Sequence, residues 1–401
     1  MSRRISILFA LLALAVLPAQ AQVPAIVKIG VLNDMNGPFA DQSGRGSVLA
    51  AQMAAEDFAA RGPAGFKVEI VSADHQNKPD VGSQIVRHWV DEDGVTAVAD
   101  SVNSGVALAV NQVLRDKHRT FLATNVGSSD LTGKFCAPTT IQWTMDSWAM
   151  GSSAARATMK AGLDSWYFIS FDYAFGAALQ RDATAMLEKL GGKAVGSVKH
   201  PLGTTDFSSY LLQAQSSGAK VIGLADTGTD LVNAVKQAAE FGITPKQKLA
   251  SLFALIVDVD AIGLKAAQGL IVTEAFYWDL NDNTRAFGKR FADRFGGKMP
   301  TSNQAGVYSQ VLAYLQAVKA AKTIEGEKIV AEFRRAPIAD KLFGTITVRP
   351  DGRAIHDMHV FRVKSPDKSK SRWDVYEQIA TIPAAEAFRP LDQGGCELVT
   401  R

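Results

Sequence analysis

From Val27 onward, short β-branched runs alternate with amphipathic helical runs, and the alternation occurs as two series. In the first, Val27–Leu32, Lys67–Val71, Val95–Ala99 and Arg119–Ala123 read as strands. Helical spacing fills the gaps, as in Leu49, Met53 and Phe58 or Val106, Val110 and Leu114. In the second, the strand-like runs are Ser165–Ser170, Ala194–Lys199, Lys220–Leu224, Lys248–Leu252 and Gly269–Ala275. Strand–helix alternation buries its apolar faces only as a parallel sheet with helices on both sides. Two series therefore predict an α/β protein of two doubly wound parallel-sheet lobes. Asn283–Phe295 and Asn303–Ala321 follow as amphipathic helices, and β signals return at Gly344–Val348, Asp357–Val363 and Trp373–Ile379. Ser365–Ser371 reads as a solvated turn between the last two.

The start of the chain has a different character. Arg3 and Arg4 precede a run from Ile5 to Leu17 whose only polar residue is Ser6. Pro18 breaks the run, and Ala19-Gln20-Ala21 places small residues before a cut after Ala21. That pattern predicts a signal peptide over residues 1–21 and export to the periplasm. The run is shorter than the roughly 20 residues needed to span a bilayer. Removing Arg3 and Arg4 takes the formal charge from +3 to +1, so no basic excess points to nucleic acid. The two cysteines, Cys136 and Cys396, are expected to pair in an oxidising compartment. Neither lies near Ala21, so no lipid anchor is expected there.

In an open α/β sheet, ligands bind beyond the carboxyl ends of the strands. The loops at those ends read Asn33–Gln42, Asp100–Gly105, Thr124–Ser129, Phe171–Gly176 and Ala225–Thr229. All are rich in hydroxyl, amide and glycine residues. Asn103 or Ser104 begins a helix, where free N–H groups and the positive dipole end favour a small anion. Gly127 permits close backbone approach. Helix capping alone also explains such residues.

Val27 to about Ile379 resembles the solute-binding proteins of branched-chain amino acid ABC transporters. The resemblance rests on Lys28–Val31 with Gly37-Pro38-Phe39-Ala40, on Leu131-Thr132-Gly133, on Asp172-Tyr173-Ala174-Phe175-Gly176 and on Ala266–Leu270. It implies a type I periplasmic-binding fold with three crossings, expected near Thr144, Thr273 and Arg349. The lobes would be 26–144 plus 274–348 and 145–273 plus 349–380, with a tail over 381–401. It further implies a small-molecule ligand and ABC permease subunits as partners, with no cofactor.

The positions matching the family's carboxylate-holding hydroxyls are Asn103, Ser104, Asn125 and Gly127. Tyr173 and Phe175 match its aromatic clamp. The family meets an ammonium group with an acid after the Lys248–Leu252 strand, but here no acid precedes Asp258. That departure points to a small organic acid, with Asp226 as a possible substitute if the ligand is an amino acid. Gln42, Trp148, Thr227 and Phe253 complete the expected site. Ligand would dock on the first lobe, and closure would bring Tyr173, Phe175, Asp226 and Thr227 over it.

Enzyme signatures are weak. His356 and His359 stand three apart, are expected on opposite faces of a strand, and read as surface residues. Ser217-Gly218-Ala219-Lys220 fits Ser-x-x-Lys without supporting motifs. An exported hydrolase and a receptor-docking sensor of the same fold are the alternative classes.

Overall fold

In the computed structural model, residues 23–243 and 246–399 are described; the expected signal segment, 1–21, lies outside them. The first series forms β1 (Ile26–Asn33), α1 (Gly44–Ala59), β2 (Lys67–Asp74), α2 (Pro79–Asp91), β3 (Val95–Asp100), α3 (Ser104–Asp116), β4 (Thr120–Ala123) and β5 (Thr140–Gln142). The strands make a parallel sheet in the order 2-1-3-4-5. β3 and β4 are buried along their whole length, as expected of strands covered on both faces. The strand order reverses between β1 and β3, so their carboxyl ends open a crevice.

The second series repeats the plan. Its elements are α4 (Ser147–Lys160), β6 (Ser165–Phe171), α5 (Ala174–Lys189), β7 (Lys193–His200), α6 (Ser208–Ser216), β8 (Val221–Ala225), α7 (Gly228–Glu240), β9 (Lys248–Ser251), α8 (Ile256–Ile262), α9 (Leu264–Ala267) and β10 (Ile271–Glu274). β7, β6, β8 and β9 lie side by side, all parallel.

α10 (Asp282–Arg294), α11 (Ser302–Ala321) and α12 (Gly326–Arg334) then return to the first sheet. α11 is buried over most of its 20 residues and packs on α1. Its N-terminus carries a reciprocal cap between Thr301 and Gln304. Among the described residues no helix is long and apolar enough to cross a membrane.

β11 (Ile338–Asp340), β12 (Gly344–Val348) and β13 (Ala354–Ile355) form a small antiparallel sheet. β14 (Met358–Val363) and β15 (Tyr376–Ile382) pair antiparallel, and β10 joins β14. The strand that alternation alone places in a parallel series, β10, thus lies in an antiparallel meander. Side chains from β14 and the segment before β15, including Phe361, Val375 and Trp373, share a core with β6 and β8 of the second lobe.

The chain passes between the lobes at residues 143–146, after β10, and between β13 and β14. Arg353 stitches the first and third passages together. It is fully buried and donates to the carbonyls of Met145 (2.9 Å) and Trp143 (3.0 Å). His356 also reaches the Trp143 carbonyl, at 3.0 Å. The surface position expected for His356 is therefore wrong. It precedes β14 and lies in the hinge, where burial, then the Arg353 charge, push its pKa down to about 4.

Candidate functional site in the interlobe cleft

The β1 loop is folded by Asp34, whose carboxylate accepts from the N–H groups of Gly37 (2.6 Å) and Phe39 (3.0 Å). This pushes Pro38 and Phe39 toward the second lobe. Phe39 meets Phe171 edge-on at 6.2 Å. Gly228, at φ +65°, lies so close to Pro38 that a Cβ would fall 2.5 Å from its carbonyl oxygen. Gln42 reaches furthest across: its Nε2 donates to Thr227 Oγ1 and to Asp258 Oδ2, both at 2.7 Å.

Behind this loop lies a buried polar nest. Asp100, the last residue of β3, is fully buried and accepts from the side-chain amides of Asn33 and Asn125. Burial pushes its pKa up to about 7, against the lowering effect of its hydrogen bonds. Asp100 and Ser101 both have left-handed backbones, φ +79° and +73°. Such strain costs on the order of 1–3 kcal/mol per residue and concentrates at functional sites. Asn103 caps α3, its Oδ1 accepting from Gly105 and Val106 N–H. Ser104 Oγ accepts from Ser128 N at 3.2 Å. The capping role thus occupies the Asn103 oxygen, while Ser104 joins the β3 loop to the β4 loop.

From the second lobe, Tyr173, Phe175 and Phe253 form a chain of rings, with centroid distances of 6.4 Å and 6.1 Å. Phe175 presses on Gly127 across the interface. Burial, with Asp230 and Asp226 nearby, holds the Tyr173 phenol above its ordinary pKa. Asp226 is fully buried and faces His200 Nε2 at 3.5 Å, with Asp230 3.7 Å from the other ring nitrogen. Burial raises the Asp226 pKa, and His200 opposes that rise. Burial disfavours the His200 cation, but its two carboxylates outweigh this and leave its pKa raised.

Gln42, Gly127, Phe175, Thr227, Tyr173, Asp226 and Phe253 therefore converge on one interface. Asn103, Ser104 and Asn125 lie beneath it in the first lobe. Trp148, half-buried in the first turn of α4, packs against the same core cluster that holds Phe175 and Phe253. Tyr277 and Trp278, which follow β10, both donate to the Trp373 carbonyl and so brace the hinge. Sequence reasoning missed His200, although it ends β7 and obeys the same carboxyl-end rule, and gave Asp100 no role within its loop. It dismissed Asp258 as too late in its loop; the N-terminal turn of α8 carries it back to Gln42. Among the described residues no group of three or more His, Cys, Asp or Glu side chains is placed to hold a metal ion.

The expected disulfide between Cys136 and Cys396 is present, joining residues 260 apart in sequence.

Comparison with known proteins agrees with this architecture. The profile of the periplasmic binding protein family matches residues 26–370. The Leu/Ile/Val-binding protein homolog 6 of Brucella melitensis is 27% identical over 238 residues, 58% of this chain and 60% of that relative. The match thus spans less than two thirds of that relative's length. A periplasmic binding protein from Burkholderia mallei superposes with a TM-score of 0.91 at 41% identity, covering 93% of this chain and 99% of that one. A branched chain amino acid ABC transporter periplasmic ligand-binding protein from Burkholderia xenovorans gives 0.82 at 39% identity, covering 93% and 100%. The chain belongs to the periplasmic binding protein family, whose members of this ABC-transporter type are two-lobed solute-binding proteins rather than enzymes.

Proposed function

We propose that the protein is the periplasmic solute-capturing component of an ABC importer, and that its solute is a small amino acid held between the lobes. The reading supposes export through residues 1–21 and delivery to permease subunits in the inner membrane. The observation that carries it is the reach of Gln42 from the first lobe to Thr227 and Asp258 of the second. These contacts join the two faces of the cleft, and a solute touching both faces would favour the closed state by binding it better than the open one.

The charge distribution supports an amino acid. The first lobe offers the Ser104 hydroxyl, at the start of α3, as a donor to a carboxylate. The second offers Asp226 and Asp258, both buried acids, to an ammonium group. The acid that the loop sequence lacks before Asp258 is thereby supplied. A second reading, an aromatic organic acid, is favoured by the wall of Tyr173, Phe175 and Phe253.

Thermal-shift and calorimetric screening of L-amino acids beside their matched 2-oxo acids and aromatic carboxylates tests both. Zwitterions should raise Tm where the deaminated analogues do not. A ligand at 100 times its Kd stabilises by about 2.7 kcal/mol, which is readily seen. Response to the 2-oxo or aromatic acids alone would overturn the amino-acid reading.

A further inference from the structure

After β15 the chain turns back across the hinge toward the first lobe. The Ala384 N–H donates to Asp357 Oδ1 at 2.9 Å, and α13 (Ala384–Ala387) packs on both α4 and β13. Phe388 is buried beneath Arg353, whose guanidinium stands 4.2 Å from the ring centroid. Arg349 Nη1 donates to the Arg389 carbonyl at 2.7 Å. Arg389 itself is 9% exposed and donates from Nη2 to the Ser129 carbonyl at 2.9 Å. Seven residues later Cys396 is bonded to Cys136, beside the first sheet.

The loop gripped in this way borders the cleft. Gly127 is the residue under Phe175. Ser128 N donates to Ser104 Oγ, and Ser129 N to Ser147 Oγ at 3.1 Å. Ser129 Oγ donates to Asp182 Oδ2 at 2.6 Å, a contact between the lobes. The tail lies directly on this loop: a Cβ on Gly133 would fall 2.6 Å from the Gly394 carbonyl and 2.8 Å from Arg389 Nη2.

We infer that residues 383–396 are a fourth, covalently closed crossing, in which Arg389 positions the cleft loop 127–133 and the Cys136–Cys396 bond limits how far the lobes part. The three peptide passages act as a hinge. A fourth tether laid against the first and third of them stiffens the hinge and removes part of the opening rotation. A charge-assisted bond to the Ser129 carbonyl holds the loop in register for closure. This rests on the two-lobe closure of the proposed function, and not on the identity of the solute.

The test uses the solute-free oxidised protein. Hydrogen exchange is followed for peptides covering 127–133 in wild type, Arg389→Ala and Arg389→Lys, with the β8 peptide 221–225 as internal control. Arg389→Ala should speed exchange in 127–133 about tenfold, the size expected for losing a bond to a charged donor. Arg389→Lys should recover part of that, and 221–225 should not change. Small-angle scattering of Cys136→Ser/Cys396→Ser should show a larger radius of gyration than wild type. Unchanged exchange in 127–133, an equal rise in both peptides, or an unchanged radius in the double variant would overturn the inference. Failure of wild type to bind any small solute would instead remove the proposed function, and these solute-free readouts would still stand.

Discussion

The Phe175 ring occupies the space a side chain on Gly127 would need: a Cβ there would stand 2.4 Å from Phe175 Cε2. The two residues belong to opposite lobes, so the absence of a side chain at 127 is what lets the faces meet. Gly127→Ala should therefore weaken closure. Overpacking costs about 1–3 kcal/mol, equivalent to roughly five- to 150-fold in solute affinity if it falls wholly on the closed form. Calorimetry with the solute identified by screening measures it. Gly127→Ala/Phe175→Ala should recover part of the stability lost by the two single variants, since the methyl then enters the space left by the ring. Strict additivity would show that the contact is not coupled.

Gln42 makes the most exacting polar contact between the lobes, two bonds from one amide nitrogen. Gln42→Glu would replace a donor with an acceptor facing Asp258. Burial pushes the Asp258 pKa up to about 7, with Asp41 and Asp226 adding to the rise. Above about that pH the variant would set two carboxylates against each other; at acidic pH a shared proton would bridge them. Scattering should find Gln42→Glu more open than wild type at about pH 8 and the difference smaller at about pH 5. No difference at either pH would remove Gln42 from the closure interface.

Asp258 also gives stability a pH dependence of definite sign. Its folded pKa, about 7, lies above its ordinary value of 3.8. Between those values the folded protein retains a proton that the unfolded chain releases. Stability from this group is therefore complete below pH 3.8, falls as pH rises toward about 7, and is level above. Asp100 acts in the same window, since its folded pKa is also raised to about 7. Asp258→Asn cannot ionise, so its Tm relative to wild type should rise between about pH 4 and 7, whatever the other buried groups contribute to both proteins. A slope equal to wild type would mean that Asp258 is solvated in solution.

Much of this was legible in the sequence for a physical reason. Strand and helix periods differ, so the two series and the helices over 282–321 announce themselves. The carboxyl-end rule then located Gln42, Asn125, Gly127, Tyr173 and Asp226 near the crevice. What could not be read was pairing across the lobes. Nothing local tells whether Gly127 admits a ligand or the Phe175 ring, because the answer depends on a residue 48 positions away. Asp258 was hidden by helix geometry, and His356 by the assumption that a polar residue beside a strand faces solvent. β10 shows the same limit: a four-residue strand carries no sign of whether its neighbour runs parallel or antiparallel.

The hinge offers the severest single test. Arg353 is fully buried, yet its guanidinium is matched by two carbonyls, the Asp146 carboxylate at 3.7 Å and the Phe388 ring. Burial lowers its pKa to about 10, with Asp146 opposing, so it remains charged at neutral pH. Arg353→Ala would orphan the Met145 carbonyl, leave the Trp143 carbonyl to His356 alone and strip Asp146 of its cation, a loss of about 3–5 kcal/mol. Arg353→Lys keeps the charge but lacks the planar fork that spans Trp143 and Met145, so it should fall between alanine and wild type. Denaturant unfolding of the three proteins checks the order. Equal stability of the lysine variant and wild type would show that charge alone, without the fork, holds the first and third crossings together.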